Sequence, residues 1–282
     1  MAESSMKDIK LRIRSVQSTM QITKAMQLVA TSKMRRSKER MENSKPYARV
    51  SAEAIAQAAA SLKGGNVPFV TPRAEVKRRC YVVIAGDRGL AGGYNANVFK
   101  AVAASAEGYD YCVLPVGRKA IEKYQHLGVE LLSDDFFPVA GMPVARCYGM
   151  ASLLTEGYLK GQFDEVWLVS TDFRSMMTQE VAVQQLLPVV PAEPDEKRLT
   201  TTEYEPSAES VLEKIVPGLL AGQLYSAVCD AGASENAARR NAMDSATKNA
   251  DAMISSLQLK YNRARQGSIT QEITEIVAGS EK

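Results

Sequence analysis

The chain has a single histidine, His126, and its four cysteines, Cys80, Cys112, Cys147 and Cys229, lie too far apart for any CxxC-type site. Zinc needs clustered Cys and His ligands, so a zinc centre is excluded as an organising element. Three of the cysteines sit in or beside apolar runs, as buried, reduced thiols do. Aromatics make up only 6% of the residues, with one tryptophan, Trp167, which disfavours a large β sandwich. No run approaches the ~20 apolar residues of a membrane span, and the N-terminus turns amphipathic too early for a secretory signal. The expectation is a soluble chain in a reducing compartment. Breakers are missing from both ends. Met1 to Leu62 holds no glycine and one proline, Pro46, and Ser234 to Ala278 holds no proline and one glycine, Gly267.

Breaker-free, polar stretches with a narrow apolar seam read as long helices that face another helix. At the N-terminal end Ile9, Ile13, Val16 and Met20 set the seam, which is expected to step over to Ile22, Met26 and Val29 through a register shift. Pro46 either kinks this helix or ends its first segment, and the alanines from Ala52 to Ala60 suggest close approach to another surface. At the other end Met243, Ala246, Ala250, Met253 and Leu257 alternate three and four. Tyr261 and Ala264 continue the stripe, and Ile269, Ile273 and Ile276 finish it. A period of 3.5 predicts a left-handed supercoil. Unbroken, Ser207 to Val277 would extend over about 105 Å.

Charge is uneven. Between Met1 and Val50 twelve Lys or Arg face four Asp or Glu, an excess of +8, so the remainder of a chain whose net charge is +3 carries −5. A basic end of this kind suits an acidic partner, a nucleic acid or an anionic membrane, or is a solvated helix face.

The middle reads differently. Arg79 to Ala85 is a continuous apolar run, as in a strand buried on both faces. Asn95 to Ala106 reads as a helix, Tyr111 to Val116 as a strand, Arg118 to Leu127 and Val144 to Lys160 as helices, and Glu165 to Ser170 and Val181 to Leu187 as strands. Strands alternating with helices indicate βαβ units and a mostly parallel sheet. Leu187 to Pro206, with four prolines and five acidic residues, reads as a linker. The domain plan is therefore an N-terminal coiled-coil helix over 1–75, an α/β domain over 76–206 and a C-terminal coiled-coil helix over 207–282.

One motif resembles a phosphate cradle. Ala85-Gly-Asp-Arg-Gly-Leu-Ala-Gly-Gly-Tyr-Asn95 joins a strand to a helix N-terminus. Its spacing is neither GxxxxGK[ST] nor GxGxxG, so a tight βα turn is the better reading and a nucleotide-binding enzyme the alternative. Asp134-Asp135 and Asp195-Glu196 lack a basic or histidine partner placed by sequence. No catalytic constellation is visible, and no cofactor is implied.

At both ends the residues resemble the γ-subunit family of F-type ATP synthases, the central rotor shaft. Ser15-Val16, Thr19, Gln21-Ile22-Thr23-Lys24-Ala25-Met26, Val29-Ala30, Ser32-Lys33 and Arg35-Arg36 are similar to that family's opening signature. Asp87-Arg88-Gly89-Leu90 with Gly92 resembles its middle motif. Ser234-Glu235, Ala238-Arg239, Ala242-Met243, Ala246-Thr247 and Asn249-Ala250 resemble its closing helix, as do Tyr261 to Gln266 and the run Ile269-Thr270, Glu272 and Glu275-Ile276-Val277. The likeness covers essentially the whole chain.

The resemblance implies a Rossmann-like α/β insert, with a mostly parallel sheet, carried on a long antiparallel coiled coil of the terminal helices. It implies a non-catalytic shaft inside a hexameric ring of α and β subunits, docked with the ε subunit on a membrane c-ring. Such a chain couples ion-driven rotation to ATP synthesis or hydrolysis at the β subunits. It implies no nucleic-acid partner, no membrane insertion, and a peripheral position on the cytoplasmic face of a bacterial cell membrane. Carried over by motif, the β-subunit contacts are Lys24, Met26, Arg239, Arg265, Gln266, Thr270 and Glu272. Lys33, Arg35 and Arg36 are expected to meet an acidic β loop, and Tyr204 and Glu205 form the foot toward ε and the c-ring. Three positions depart from the pattern: Ala91 stands where cysteine is frequent, Arg240 where methionine is usual, and Gly267 where alanine is common. The rival class to a shaft is a coiled-coil nucleic-acid binder using the basic helix.

Overall fold

The computed structural model describes residues 2–60, 67–190, 205 and 207–280. The elements run α1 (Ala2–Ala60), β1 (Arg78–Ile84), α2 (Tyr94–Ser105), β2 (Asp110–Val116), α3 (Arg118–His126), α4 (Val144–Leu159), β3 (Glu165–Phe173), β4 (Gln179–Leu187) and α5 (Ala208–Ser280). Neither Pro46 nor Pro217 ends its helix. Pro46 is exposed, so the carbonyl that its missing N–H leaves free can be hydrated. Most of the expected linker, Leu187 to Pro206, lies outside the described residues.

The sheet order is β2-β1-β3-β4. β1 pairs with β2 and β3 in parallel, and β3 with β4 antiparallel, so the sheet is mostly parallel with one antiparallel edge strand. Both faces of β1 are covered, which is why its sequence is apolar without alternation. One face, through Cys80, Val82 and Ile84, joins a core with α4 (Met150, Leu154, Tyr158), α5 (Leu212, Leu220, Leu224) and the end of α1 (Ile55, Ala58, Ala59). The opposite face, through Tyr81 and Val83, packs with Val98 and Val102 of α2 and Ala120 and Tyr124 of α3. The result is a three-layer arrangement built on period-2 burial. Gly117 is fixed by the fold: its φ is +91, and a Cβ there would strike the carbonyl oxygen of Ala85.

The chain divides into two compact units, Ser32–Ala238 and Met1–Thr31 with Arg239–Lys282. In the smaller unit α1 and α5 pair antiparallel. The Oγ1 atoms of Thr23 and Thr247 lie 2.8 Å apart, and Gln27 Nε2 donates to Asp244 Oδ1 at 2.9 Å. Moving four residues up α1 moves the partner three residues down α5. Carried to the start of α1, this pairing sets Ala2 level with about residue 268. Ser268 is the last residue of α5 described as buried, and everything from Ile269 to Ala278 is exposed.

The seam corrects two expectations. On α1 it does not step over to Ile22 and Val29, which are 58% and 56% exposed. It continues in the same four–three rhythm through Thr23, Gln27 and Ala30, with Met26 half-buried beside it. On α5 the stripe passes through Met243, Thr247, Ala250, Ile254, Leu257, Tyr261, Ala264 and Ser268, while Met253, Ile269, Ile273 and Ile276 are exposed. The physical reason is the same in both places. A close helix pair takes small or hydrogen-bonded residues at its seam, so the most apolar side chain nearby is not always the one inside.

Candidate interaction surfaces

Within the larger unit, successive residues of α1 are turned by about 100°, which sets Lys33, Arg36 and Arg40 on one face. All three line a cavity of about 190 Å³ walled by the loop Val139–Met142 and by Val228, Cys229 and Gly232 of α5. Arg35 points away from this face. The structure thus groups two of the three expected cations and adds Arg40, which its spacing of four from Arg36 could have signalled. None of the four makes an ion pair among the described residues, whereas Lys38 pairs with Glu42, Lys45 with Asp230 and Arg49 with Glu53.

The glycine-rich turn leaves β1 at the point where β2 and β3 diverge to either side, the place where open α/β sheets bind ligands. Here the chain fills that place itself. Gly86 N donates to Asn95 Oδ1 at 2.8 Å. The Asp87 carboxylate accepts from the backbone N–H groups of Arg118, Val139 and Ala140 at 3.3, 3.4 and 3.2 Å. Glu235 of α5, only 5% exposed, lies so close that a Cβ at Gly86 would sit 2.7 Å from its Oε1. Two carboxyl side chains at the mouth of the turn disfavour a phosphate there. Leu90, with φ +62 and 65% exposure, holds a left-handed backbone at the turn's outer edge. Among the described residues no group of His, Cys, Asp or Glu is placed to hold a metal ion.

Asp230 of α5 also has a defined environment. It is 8% exposed, accepts from Phe173 N–H at 3.2 Å and pairs with Lys45 Nζ at 3.3 Å. Burial raises its pKa above the ordinary carboxylate value, against the opposing pull of Lys45 and the Phe173 N–H. Asp244, by contrast, sits below its ordinary value, chiefly through its hydrogen bond from Lys248, with Gln27 adding a smaller pull. All four cysteines are free and buried, and desolvation pushes Cys147 up to about 12.

In the smaller unit Lys24 is exposed, Met26 half-buried and Arg239 half-buried. Arg265, Gln266, Thr270 and Glu272 are exposed on α5. Thr270 Oγ1 donates to Gln266 O at 2.9 Å, and Ser268 Oγ donates to Glu272 Oε1 at 3.2 Å. The helical turn separates these four into two sets, Arg265 with Glu272 and Gln266 with Thr270. Ile269, Ile273, Ile276 and Val277 are 47%, 56%, 70% and 53% exposed, and Leu28 of α1 is 67% exposed. Glu205 is exposed, and Tyr204 lies outside the described residues. Sequence reasoning missed the exposed apolar face of α1 because it had assigned Ile22 and Val29 to the seam.

Comparison with known proteins bears on what these surfaces meet. Residues 5–282 match the family model described as ATP synthase. An ATP synthase gamma chain from Ruminococcus albus is 44% identical over 285 residues, with 98% of each chain covered. A chain in the cryo-EM structure of the Euglena gracilis mitochondrial ATP synthase, described as OSCP/F1/c-ring, aligns with a TM-score of 0.68 at 16% identity, covering 99% of this chain and 94% of that one. A chain of the central stalk/c-ring structure of the Tetrahymena thermophila mitochondrial ATP synthase aligns with a TM-score of 0.61 at 24% identity, covering 80% and 99%. No helix among the described residues is long and apolar enough to cross a membrane.

Proposed function

Since the chain belongs to the ATP synthase gamma-chain family, we propose that it is the central rotor shaft of its enzyme, coupling rotation of a membrane c-ring to conformational change at the catalytic β subunits. It carries no chemistry of its own. Residues 1–75 and 207–282 act as the shaft, and 76–206 as the body that meets the ε subunit and the c-ring through a foot at Tyr204 and Glu205. The assembly sits on the cytoplasmic face of a bacterial cell membrane, with this chain peripheral to it and bound to no nucleic acid.

The observation that carries this reading is the uncovered end of α5. Ten consecutive helical residues past Ser268 are exposed, and they include four large apolar side chains. Exposed apolar surface of this kind marks a contact with another protein. An apolar tip inside a ring also suits a rotating contact, because dispersion and burial are non-directional whereas hydrogen bonds hold one angle. Lys24, Lys33, Arg35 and Arg36, which make no ion pair among the described residues, supply a long-range attraction for acidic loops of the ring without fixed partners. Arg265, Gln266, Thr270 and Glu272 then form a polar catch toward β, and Arg239, about 39 Å away along α5, makes a separate β contact.

Co-expression with the α and β subunits of the same source tests the proposal. One copy per α/β ring by native mass, with sustained ATPase only in its presence, is the expected result. A chain that stays apart from α and β would overturn it.

A further inference from the structure

We propose that about two turns of α5, Cys229 to Glu235, form the torque joint of the larger unit, where hydrogen bonds from several directions stop α5 from turning against the sheet. This inference rests on the rotor reading above and assigns positioning roles to Asp230, Ser234 and Tyr94.

The segment is built for close approach. Ala231, Gly232, Ala233 and Ser234 are small, and every residue from Ala231 to Ala237 is buried. At about 100° per residue, Cys229 and Ala233 face one way, toward Met41 of α1. Asp230 and Ser234 face about 100° further round, toward the end of β3. There Asp230 Oδ1 accepts the Phe173 N–H at 3.2 Å, and Ser234 Oγ donates to Thr171 O at 3.1 Å. Ala231 and Glu235 face a further ~100° round. On that side the Tyr94 hydroxyl of α2 donates to Ala231 O at 3.2 Å, and the Glu235 carboxyl lies against Gly86. Four elements (α1, β3, α2 and the turn after β1) therefore grip the same seven residues.

The rest of α5's contact with the sheet is of a different kind. Leu212, Val216, Leu220, Leu224 and Val228 form an apolar stripe. Such packing resists separation strongly, but a helix surface of methyl and methylene groups offers less resistance to small rotation about its axis. Hydrogen bonds weaken steeply with misalignment, so bonds spread around the axis resist twist in either sense. Among the hydrogen bonds described, no other stretch of α5 in this unit bonds to two elements of the α/β layer.

The test uses the complete ATP synthase in sealed vesicles. Tyr94→Phe with Ser234→Ala removes two hydroxyls at almost unchanged shape, and Asp230→Ala is added to make a triple variant. Asp230→Asn, which keeps an acceptor for the Phe173 N–H, is the conservative control. Three quantities are read: ATPase with the ion gradient dissipated, ions pumped per ATP against a gradient, and amide exchange at Phe173. For the triple variant we expect unloaded ATPase like wild type, Phe173 exchange roughly five- to hundredfold faster, and a rise in slip under load. The Asp230→Asn control should pump as wild type does. Faster exchange at Phe173 with unchanged pumping under load would sink the joint, and so would an equal loss of unloaded ATPase, because that would mean the bonds merely hold the fold. If the triple variant does not assemble, the Tyr94→Phe/Ser234→Ala pair decides by the same comparison of unloaded ATPase with pumping under load. Failure of the rotor reading looks different, since the wild-type chain itself would then leave ATPase unaffected.

Discussion

Replacing Asp230 separates the value of its charge from the value of its hydrogen bond. In the structure its carboxylate is buried, receives the Phe173 N–H and is met by Lys45, whose side chain is 48% exposed. Asp230→Ala leaves the Phe173 donor without a partner in a part-buried site, at about 1–3 kcal/mol. Asp230→Asn keeps the acceptor and removes the charge that burial disfavours. Lys45 then loses a half-solvated partner, which costs about 0–1 kcal/mol, and the two changes nearly cancel. The single tryptophan, Trp167, lies on β3 six residues before Phe173, so its fluorescence reports unfolding of the larger unit. With an m-value of about 2 kcal/mol/M in urea, the alanine variant should lose roughly 0.5–1.5 M of midpoint and the asparagine variant should stay within about 0.5 M. The pH dependence has a definite sign. A carboxyl whose folded pKa is raised stabilises the fold most below its unfolded value, and that contribution falls as pH rises through the folded pKa. Asparagine should therefore gain on aspartate as pH rises from about 4 toward neutrality. An asparagine variant as unstable as the alanine one would refute the reasoning, because it would mean that the charge itself holds the contact.

Changing Ile269, Ile273 and Ile276 together to serine should shift the free chain's unfolding midpoint by little, about 0.5 kcal/mol or less per site, while lowering ATPase of the complex with α and β. An unchanged ATPase would remove the apolar tip from the proposed interface. Gly267→Ala meets no atom within 4 Å and should stabilise α5 locally by about 0.5–1 kcal/mol, read as slower amide exchange in residues 264–270. Ala30→Leu should cost about 1–3 kcal/mol by overpacking a site 1% exposed, whereas Ile22→Ser should be nearly silent in the free chain. The reverse order, measured by circular dichroism on heating, would restore the shifted seam expected from sequence.

Much of the architecture was legible because the signals were local. The apolar run from Arg79 to Ala85 and the helices expected from Asn95 and Arg118, which begin at Tyr94 and Arg118 in the structure, each follow from short stretches of chain. The seam was harder to read. Thr23 is buried because Thr247, 224 residues away, offers it a hydroxyl, and nothing in the residues near Thr23 announces that partner. Ile22, next to it, is more apolar and faces outward. Reading the seam by hydrophobicity alone therefore shifted it by one residue on α1 and again at Met253 and Ile254 on α5. The basic patch was half legible: the cations at Lys33, Arg35 and Arg36 stand out, but which of them share a face follows from the helical turn, and their neighbour Arg40 from the loop at Val139–Met142. The glycine-rich turn could be set aside by its spacing, yet the cause of its closure, Glu235, arrives from an element 149 residues later in the chain.

The burial of every thiol gives the chain a practical chemical property. A thiol reacts as thiolate, and here Cys147 is pushed up to about 12 while Cys80 and Cys229 are also raised by burial. Cys112 is drawn the other way, below its ordinary value, chiefly by a hydrogen bond with Cys80, but it is only 2% exposed and so closed to a reagent. The native surface should therefore be silent toward maleimides and disulfide reagents. A cysteine placed at an exposed position such as Lys100 would be the sole reactive handle, and a probe or bead attached there would report rotation of the larger unit without first deleting any natural cysteine. A thiol titration that finds none reacting quickly in the native chain and four after denaturation would establish that silence; a fast-reacting thiol in the untouched chain would show that one of the four buried sites opens.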